Sequence, residues 1–237
     1  MFAPVARAQT HLVFCYDPYP PYTLGIEGAP TGGLKVELLE ALVDRMDGIT
    51  AEVVLMPWAR CQEEARVGDV DGILPLFYSD ARAEFLAFSD ATFEQTSALW
   101  YNSETRPDAA AWAGDYADIA DARLGLLNGA VIDAEMEAAF ARNQPIQRAN
   151  SIASMFDMLK FGRIQFAALD AKVGEHHLQT VGLSDVIRAM PVTIAPRTAH
   201  FGLSKASGAH VHLDALNAAL RDLQTDGSLA RIYAGGW

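Results

Sequence analysis

The chain has 237 residues, 51% of them hydrophobic and 20% charged, the balance of a folded globular protein of one or two domains, which argues against a disordered one. Its 18 Lys and Arg against 30 Asp and Glu leave a formal net charge of −12 with no basic stretch and no acidic tail, so neither nucleic acid nor an anionic membrane surface is an expected partner. No run of about 18 apolar residues occurs, which excludes a membrane-spanning helix.

The N-terminus, MFAPVARAQT, carries the small-x-small triplet Ala6-Arg7-Ala8 that signal peptidase cuts, but lacks the charged and apolar regions that precede such a site. Two readings stand: a signal-peptide remnant over residues 1–9 behind an added Met, or a flexible start. The run HLVFCY (11–16) then has the length and composition of a buried strand, and Asp17-Pro18-Tyr19-Pro20-Pro21-Tyr22 follows it directly. Three prolines stiffen this loop and cannot continue a sheet, so Tyr19 is displayed at a strand's carboxyl end, where open α/β sheets bind ligands. Tyr22 is read as packing the rim of the core. Leu34, Leu38, Leu42 and Met46 repeat every four residues and predict an amphipathic helix; EVVLM (52–56) is the second strand, with Trp58 displayed after it as Tyr19 is after the first.

A third strand, GILPLF (72–77), leads into Tyr78-Ser79-Asp80-Ala81-Arg82. Ser79 is a good N-cap, and an Arg one turn into a short helix offers a fork of donors to a carboxylate. Its other reading is a surface Arg paired with Glu84 or Asp80, which spacing alone favours. In the second half RLGLL (123–127) and IQFAAL (164–169) are strands, and Ile152, Met155, Phe156 and Leu159 share one helical face. Asp170 ends the last of these strands, placed to receive an ammonium group or to cap the next helix. Leu213, Leu216, Leu220 and Leu223 form a stripe followed by a break at Gly227 and a short aromatic helix, LARIY, before Trp237.

Helix, glycine and strand recur in EEARVGDVDGILPL (63–76) and FDMLKFGRIQFAALD (156–170), with Gly68 and Gly162 as positive-φ caps. The period is too long for a solenoid, whose units run about 20–50 residues, so two similar α/β lobes with largely parallel sheets are expected. The final helices need an apolar surface and are expected to return to the first lobe. That gives lobe 1 as residues 10–92 plus 198–237 and lobe 2 as residues 93–197, joined by hinge strands near 91–95 and 195–199.

Cys15 and Cys61 have neither CxxC spacing nor histidines at metal-ligand spacing. A disulfide and two buried thiols are both open, and the buried thiols are the favoured reading. Adjacent His176 and His177 point about 100° apart on a helix and are read as solvated or partly packed rather than as metal ligands. No HExxH, GxSxG, P-loop or GxGxxG stands in a supporting context, so no metal, cofactor or catalytic residue is expected.

Taken in order, DPYPPY, TGGLKVELLEAL, PWARCQEEARVGDVDGILPLFYSDARAEFLAFSD, GRIQFAALD, HFGLSK and DGSLARIY resemble the bacterial extracellular solute-binding proteins of family 3, the polar amino-acid binders of ABC transporters, over residues 11–237. The pattern Trp58-Ala59-Arg60-Cys61 is similar to a short W-x-R-C subgroup. The resemblance implies the type II periplasmic-binding fold of two α/β lobes joined by two hinge strands. It implies a monomeric periplasmic protein that closes over a small amino acid or carboxylate and presents it to an ABC permease. By position it implies that Tyr19 and Trp58 flank the ligand, Arg82 behind Ser79 binds an α-carboxylate, Asp170 takes an α-amino group, and Asp17 reads a basic side chain or braces its loop. Phe77 stands where a small or hydroxyl residue is usual, Pro75 where Gly is frequent, and Gly129-Ala130-Val131 where a second-lobe helix start usually carries hydroxyls. Ala130 and Val131 therefore offer only backbone N–H groups, and the expected ligand is a small polar, carboxylate-bearing or zwitterionic molecule, not necessarily a standard amino acid. A cyclohexadienyl dehydratase-like enzyme is the first alternative, disfavoured by Val173 where such enzymes are implied to carry a Glu; a ligand-sensing or accessory domain is the second.

Overall fold

The computed structural model describes residues 10–128, 130 and 132–235. Residues 1–9, Gly129, Val131, Gly236 and Trp237 lie outside the described residues, and with them the signal-peptide remnant and one anticipated ligand contact. The chain divides into unit 1, Met1–Glu94 with Thr198–Trp237, and unit 2, Gln95–Arg197. It passes between them twice, from Glu94 to Gln95 and from Arg197 to Thr198.

In unit 1 the elements run β1 (Thr10–Tyr16), β2 (Leu24–Gly25), β3 (Pro30–Gly32), α1 (Leu34–Val43), β4 (Ile49–Leu55), α2 (Trp58–Val67), β5 (Gly72–Phe77), α3 (Asp80–Ala83) and β6 (Leu86–Phe88). In unit 2, β7 (Glu94–Asn102) starts at the crossing and is followed by β8 (Leu124–Leu127), α4 (Ala134–Ala141), β9 (Gln147–Ala149), α5 (Ile152–Lys160), β10 (Phe166–Asp170) and α6 (Ala171–Val181). The long β11 (Ile187–Ser204) leads back to unit 1, which ends with α7 (Leu213–Thr225) and α8 (Ser228–Ala234).

Unit 1 has strand order β4-β1-β5-β11, with β1 parallel to β4 and β5, and the last part of β11 antiparallel to β5 and β6. Unit 2 runs β7-β10-β8-β9, parallel except for β7 against β10. Of the parallel strands, β5, β8 and β10 are near-continuous apolar runs, as burial on both faces requires, whereas β4 and β9 at the sheet edges are mixed. Leu38 and Leu42 of α1 are buried with Leu216, Leu220 and Leu223 of α7, and Arg45 pairs with Asp226 at 2.7 Å beside them. Leu99, Leu124, Leu126, Met136, Phe140, Phe166, Met190 and Ile194 form the core of unit 2.

Two glycines are required by geometry. Gly68 ends α2 at φ 90°, and a side chain there would meet the Ser207 backbone N at 2.8 Å. Gly33 precedes α1 at φ 118°, and a Cβ would meet the Tyr22 carbonyl oxygen at 2.5 Å. This close approach lets the first amides of α1 donate to the proline loop, Leu34 N–H to Pro21 O at 3.1 Å and Lys35 N–H to Tyr22 O at 2.9 Å.

Cys15 and Cys61 correct the sequence reading: they form a disulfide, with Cα atoms 5.6 Å apart, rather than standing as two buried thiols. The parallel pairing of β1 with β4 brings the end of β1 beside the first turn of α2, a proximity hidden by a sequence separation of 46.

Candidate functional site

Tyr16, Asp17, Phe77 and Trp58 lie at or just beyond the carboxyl ends of the parallel strands of unit 1. Thr23 is fully buried and pins the loop after β1: its hydroxyl donates to Asp17 O at 2.6 Å and accepts from Tyr19 N–H at 2.9 Å. Tyr22 is buried at the core rim, and the Tyr19 ring stacks on it with centroids 5.8 Å apart.

Beneath the loop lies a residue to which the sequence reading gave no role. Lys35 is 0% exposed, and its ammonium donates to the Tyr16 hydroxyl at 2.6 Å, 3.9 Å from the Tyr16 ring centroid and 5.0 Å from that of Tyr22. A buried ammonium needs such partners. Burial raises the Asp17 carboxyl above its ordinary range, against the opposing pull of a backbone hydrogen bond and of the Lys35 charge. A signal for Lys35 was present in the sequence: three and seven residues before Leu38 and Leu42, it falls on the apolar face of α1.

From Tyr16 an aromatic wall continues to Trp58, with centroids 5.4 Å apart. The Arg82 guanidinium stands 5.2 Å from the Trp58 ring centroid. Its Nη1 donates to Phe77 O at 2.7 Å and its Nε to Gln62 Oε1 at 3.3 Å. Gln62 lies one turn beyond Trp58 on α2, so helix and strand together fix the direction of the arginine fork. Ser79 is the N-cap of α3, its hydroxyl accepting from Arg82 N–H at 3.4 Å. The structure thus brings together Asp17, Tyr19, Trp58, Phe77, Ser79 and Arg82 within unit 1, and adds Tyr16, Lys35 and Gln62.

In unit 2, Asp170 is 7% exposed at the end of β10. Its Oδ1 accepts from Val173 N–H at 3.1 Å, capping α6, and its Oδ2 accepts from the Gln95 side chain at 3.2 Å. Helix α4 begins at Ala134 with Asp133 as its cap, downstream of the anticipated start at Gly129-Ala130-Val131. Ala130 N–H donates to Leu127 O at 3.1 Å, and Ala130 O accepts from Arg148 at 2.7 Å. His177 stacks on Phe156 with centroids 5.4 Å apart. Among the described residues no group of three or more His, Cys, Asp and Glu could hold a metal ion, and no helix is long and apolar enough to cross a membrane.

The model of the bacterial extracellular solute-binding proteins, family 3, matches residues 12–235. No curated protein is significantly similar in sequence. Among solved structures, a histidine kinase sensor domain with similarity to periplasmic binding proteins is 20% identical over 96% of each chain, with a TM-score of 0.74. An amino acid ABC transporter substrate-binding protein from Streptococcus pneumoniae, bound to L-arginine, is 16% identical over 94% of this chain and 92% of its own, with a TM-score of 0.71. An ancestral amino acid-binding protein, a precursor of cyclohexadienyl dehydratase, is 17% identical over 96% and 94%, with a TM-score of 0.71. At such identities the likeness is one of fold, and the fold is the type II periplasmic-binding-protein fold.

Proposed function

Because the chain belongs to the bacterial extracellular solute-binding proteins, family 3, we propose that it captures a small zwitterionic or carboxylate-bearing solute in the periplasm and delivers it to the permease of an ABC transporter. In this reading the units are lobes that close on the solute, with the passages at Glu94–Gln95 and Arg197–Thr198 as hinges. Arg82 holds the negative end, Tyr19 and Trp58 bound the apolar body, and Asp170 receives a positive end.

The observation that carries the reading is the fixing of Arg82 by Phe77 O, Gln62 and the Trp58 ring. A guanidinium oriented in advance loses less entropy on meeting a carboxylate than a mobile surface arginine does. The Phe77 carbonyl accepts from Arg82, so a strand residue lacking the usual hydroxyl still serves the site through its backbone.

A thermal-shift screen of amino acids, opines and small carboxylates tests the capture function: a ligand at 100 times its Kd adds about 2.7 kcal/mol of stability. With that ligand, Arg82→Ala weakens binding by about 1.5–3 kcal/mol, and unchanged affinity overturns the assignment. The dehydratase alternative needs a general acid near the leaving hydroxyl. Position 173 is a buried valine and Glu175, the nearest substitute, is exposed on α6, which weighs against it. The likeness to a sensor domain supports a second reading, ligand sensing, which retained ligand capture without permease-dependent uptake would favour.

A further inference from the structure

The first passage between the units is a single peptide, Glu94–Gln95, held from both sides. On the unit 1 side, Tyr19, Tyr22, Phe93 and Tyr233 form one continuous stack. Successive centroids are 5.8, 6.0 and 4.6 Å apart and successive planes lie within 16°, 7° and 18° of parallel. At the far end of the stack the Tyr233 hydroxyl donates to Glu94 O at 2.6 Å. On the unit 2 side, Gln95 is 5% exposed, and its amide nitrogen donates to Asp170 Oδ2. The second passage joins the same set: Ala199 N–H donates to Phe93 O at 3.0 Å, and Ala199 O accepts from the Thr92 backbone at 2.9 Å and its hydroxyl at 2.7 Å.

From this juxtaposition we propose that Tyr233 and Gln95 are positioning residues that couple the Tyr19 loop in unit 1 to Asp170 in unit 2 through the Glu94–Gln95 peptide. The functional meaning of the coupling rests on the assignment of Tyr19 and Asp170 as solute contacts; the coupling itself does not. Rings packed in offset, near-parallel stacks shift together, because separating them forfeits dispersion contacts. A shift of Tyr19 therefore reaches Tyr233 through Tyr22 and Phe93. The hydrogen bond from Tyr233 turns it into a rotation of the Glu94 peptide plane, which carries the adjoining Gln95. Gln95 then sets the orientation of the Asp170 carboxylate, whose other oxygen caps α6. The C-terminal helix α8, which also covers the core with Leu229, is in this way part of the proposed coupling.

Hydrogen exchange on the full chain without added solute tests this. Three amides report on three places: Tyr22, bonded to Tyr19 O, on the loop; Ala199 on the crossings; and Val173 on Asp170. Tyr233→Phe keeps the stack and removes the hydroxyl, and is expected to speed exchange several-fold at Ala199 and at Val173 while α7 stays as protected as in the wild type. Gln95→Leu is expected to speed Val173 and also Ala199. Effects confined to α8 in the first variant and to Val173 in the second overturn the proposal. Because these rates involve no ligand, a solute screen that fails while the coupled exchange holds discards the capture assignment and leaves the coupling standing.

Discussion

In unit 1 the side chains around Arg82 are braced by a disulfide and by a fully buried ammonium, whereas in unit 2 Asp170 is held through hydrogen bonds from Gln95 and from the first turn of α6. The first arrangement resists deformation because moving any wall residue strains a covalent bond or uncovers a charge. The second is easily rearranged, since an N-cap and an amide contact are each worth about 1 kcal/mol. In the proposed capture function, an arginine fixed in one unit and a more adjustable acceptor in the other would let the ligand's carboxylate be engaged first and its other end settle afterwards.

Three experiments bear on that contrast. Lys35→Ala has the largest expected effect, a loss of about 3 kcal/mol or more in urea unfolding, because it opens a cavity and strips Tyr16 and Asp17 of a buried partner. A loss under about 1 kcal/mol would mean that the buried charge braces nothing. Next comes Cys15→Ala with Cys61→Ala, or reduction, which is expected to remove roughly 2–4 kcal/mol by releasing a long closed loop in the unfolded chain. Its effect on exchange should be concentrated at β1 and α2, leaving unit 2 protected.

The smallest effect is the pH response, and its sign differs between the units. His177 in unit 2 is pushed below its ordinary value of 6.5 by burial and by His176, against the pull of Asp157. The unfolded chain therefore takes up that proton first as pH falls through about 6.5, and stability is lost in mild acid. Asp17 in unit 1 is raised, so the folded state binds its proton more tightly. Its unfavourable contribution grows as pH rises from the ordinary carboxylate range through the folded value, and acid relieves it. Exchange corrected for intrinsic rates should accordingly quicken in α6 between pH 7 and 5 and not around β1, and His177→Gln should abolish the difference.

Much of the scaffold was legible because its signals are local. GILPLF is a continuous apolar run and became β5 without change of bounds; the Leu34-Leu38-Leu42-Met46 stripe became α1 as far as Leu42, the helix ending at Val43 with Met46 buried just beyond it; Ser79 and Asp170 cap the helices that follow their strands. The 18-residue β11 was not legible, since Pro191, Pro196 and scattered polar residues break the alternation that marks a strand, and its pairing with β5 and β6 is settled by tertiary contacts alone. Lys35 was overlooked because patterning counts every lysine as a surface residue, and Gln62 and Gln95 because an amide acquires meaning only from the acceptor opposite it. The pairing of Cys15 with Cys61 depended on the β1–β4 register, which neither cysteine announces.

Unit 1 is assembled from both ends of the chain, and this has a consequence for the order of its making. Everything that the disulfide joins has been synthesised by Cys61, while the helix that completes the same core, with Leu216, Leu220 and Leu223, comes some 150 residues later. In a chain emerging N-terminus first into an oxidising compartment, the bracket of β1 and α2 can lock while the remainder is still unmade. Unit 2, being continuous, can fold in the interval. The first-made part of unit 1 can thus wait, already cross-linked, for the last-made helices to close the core behind it.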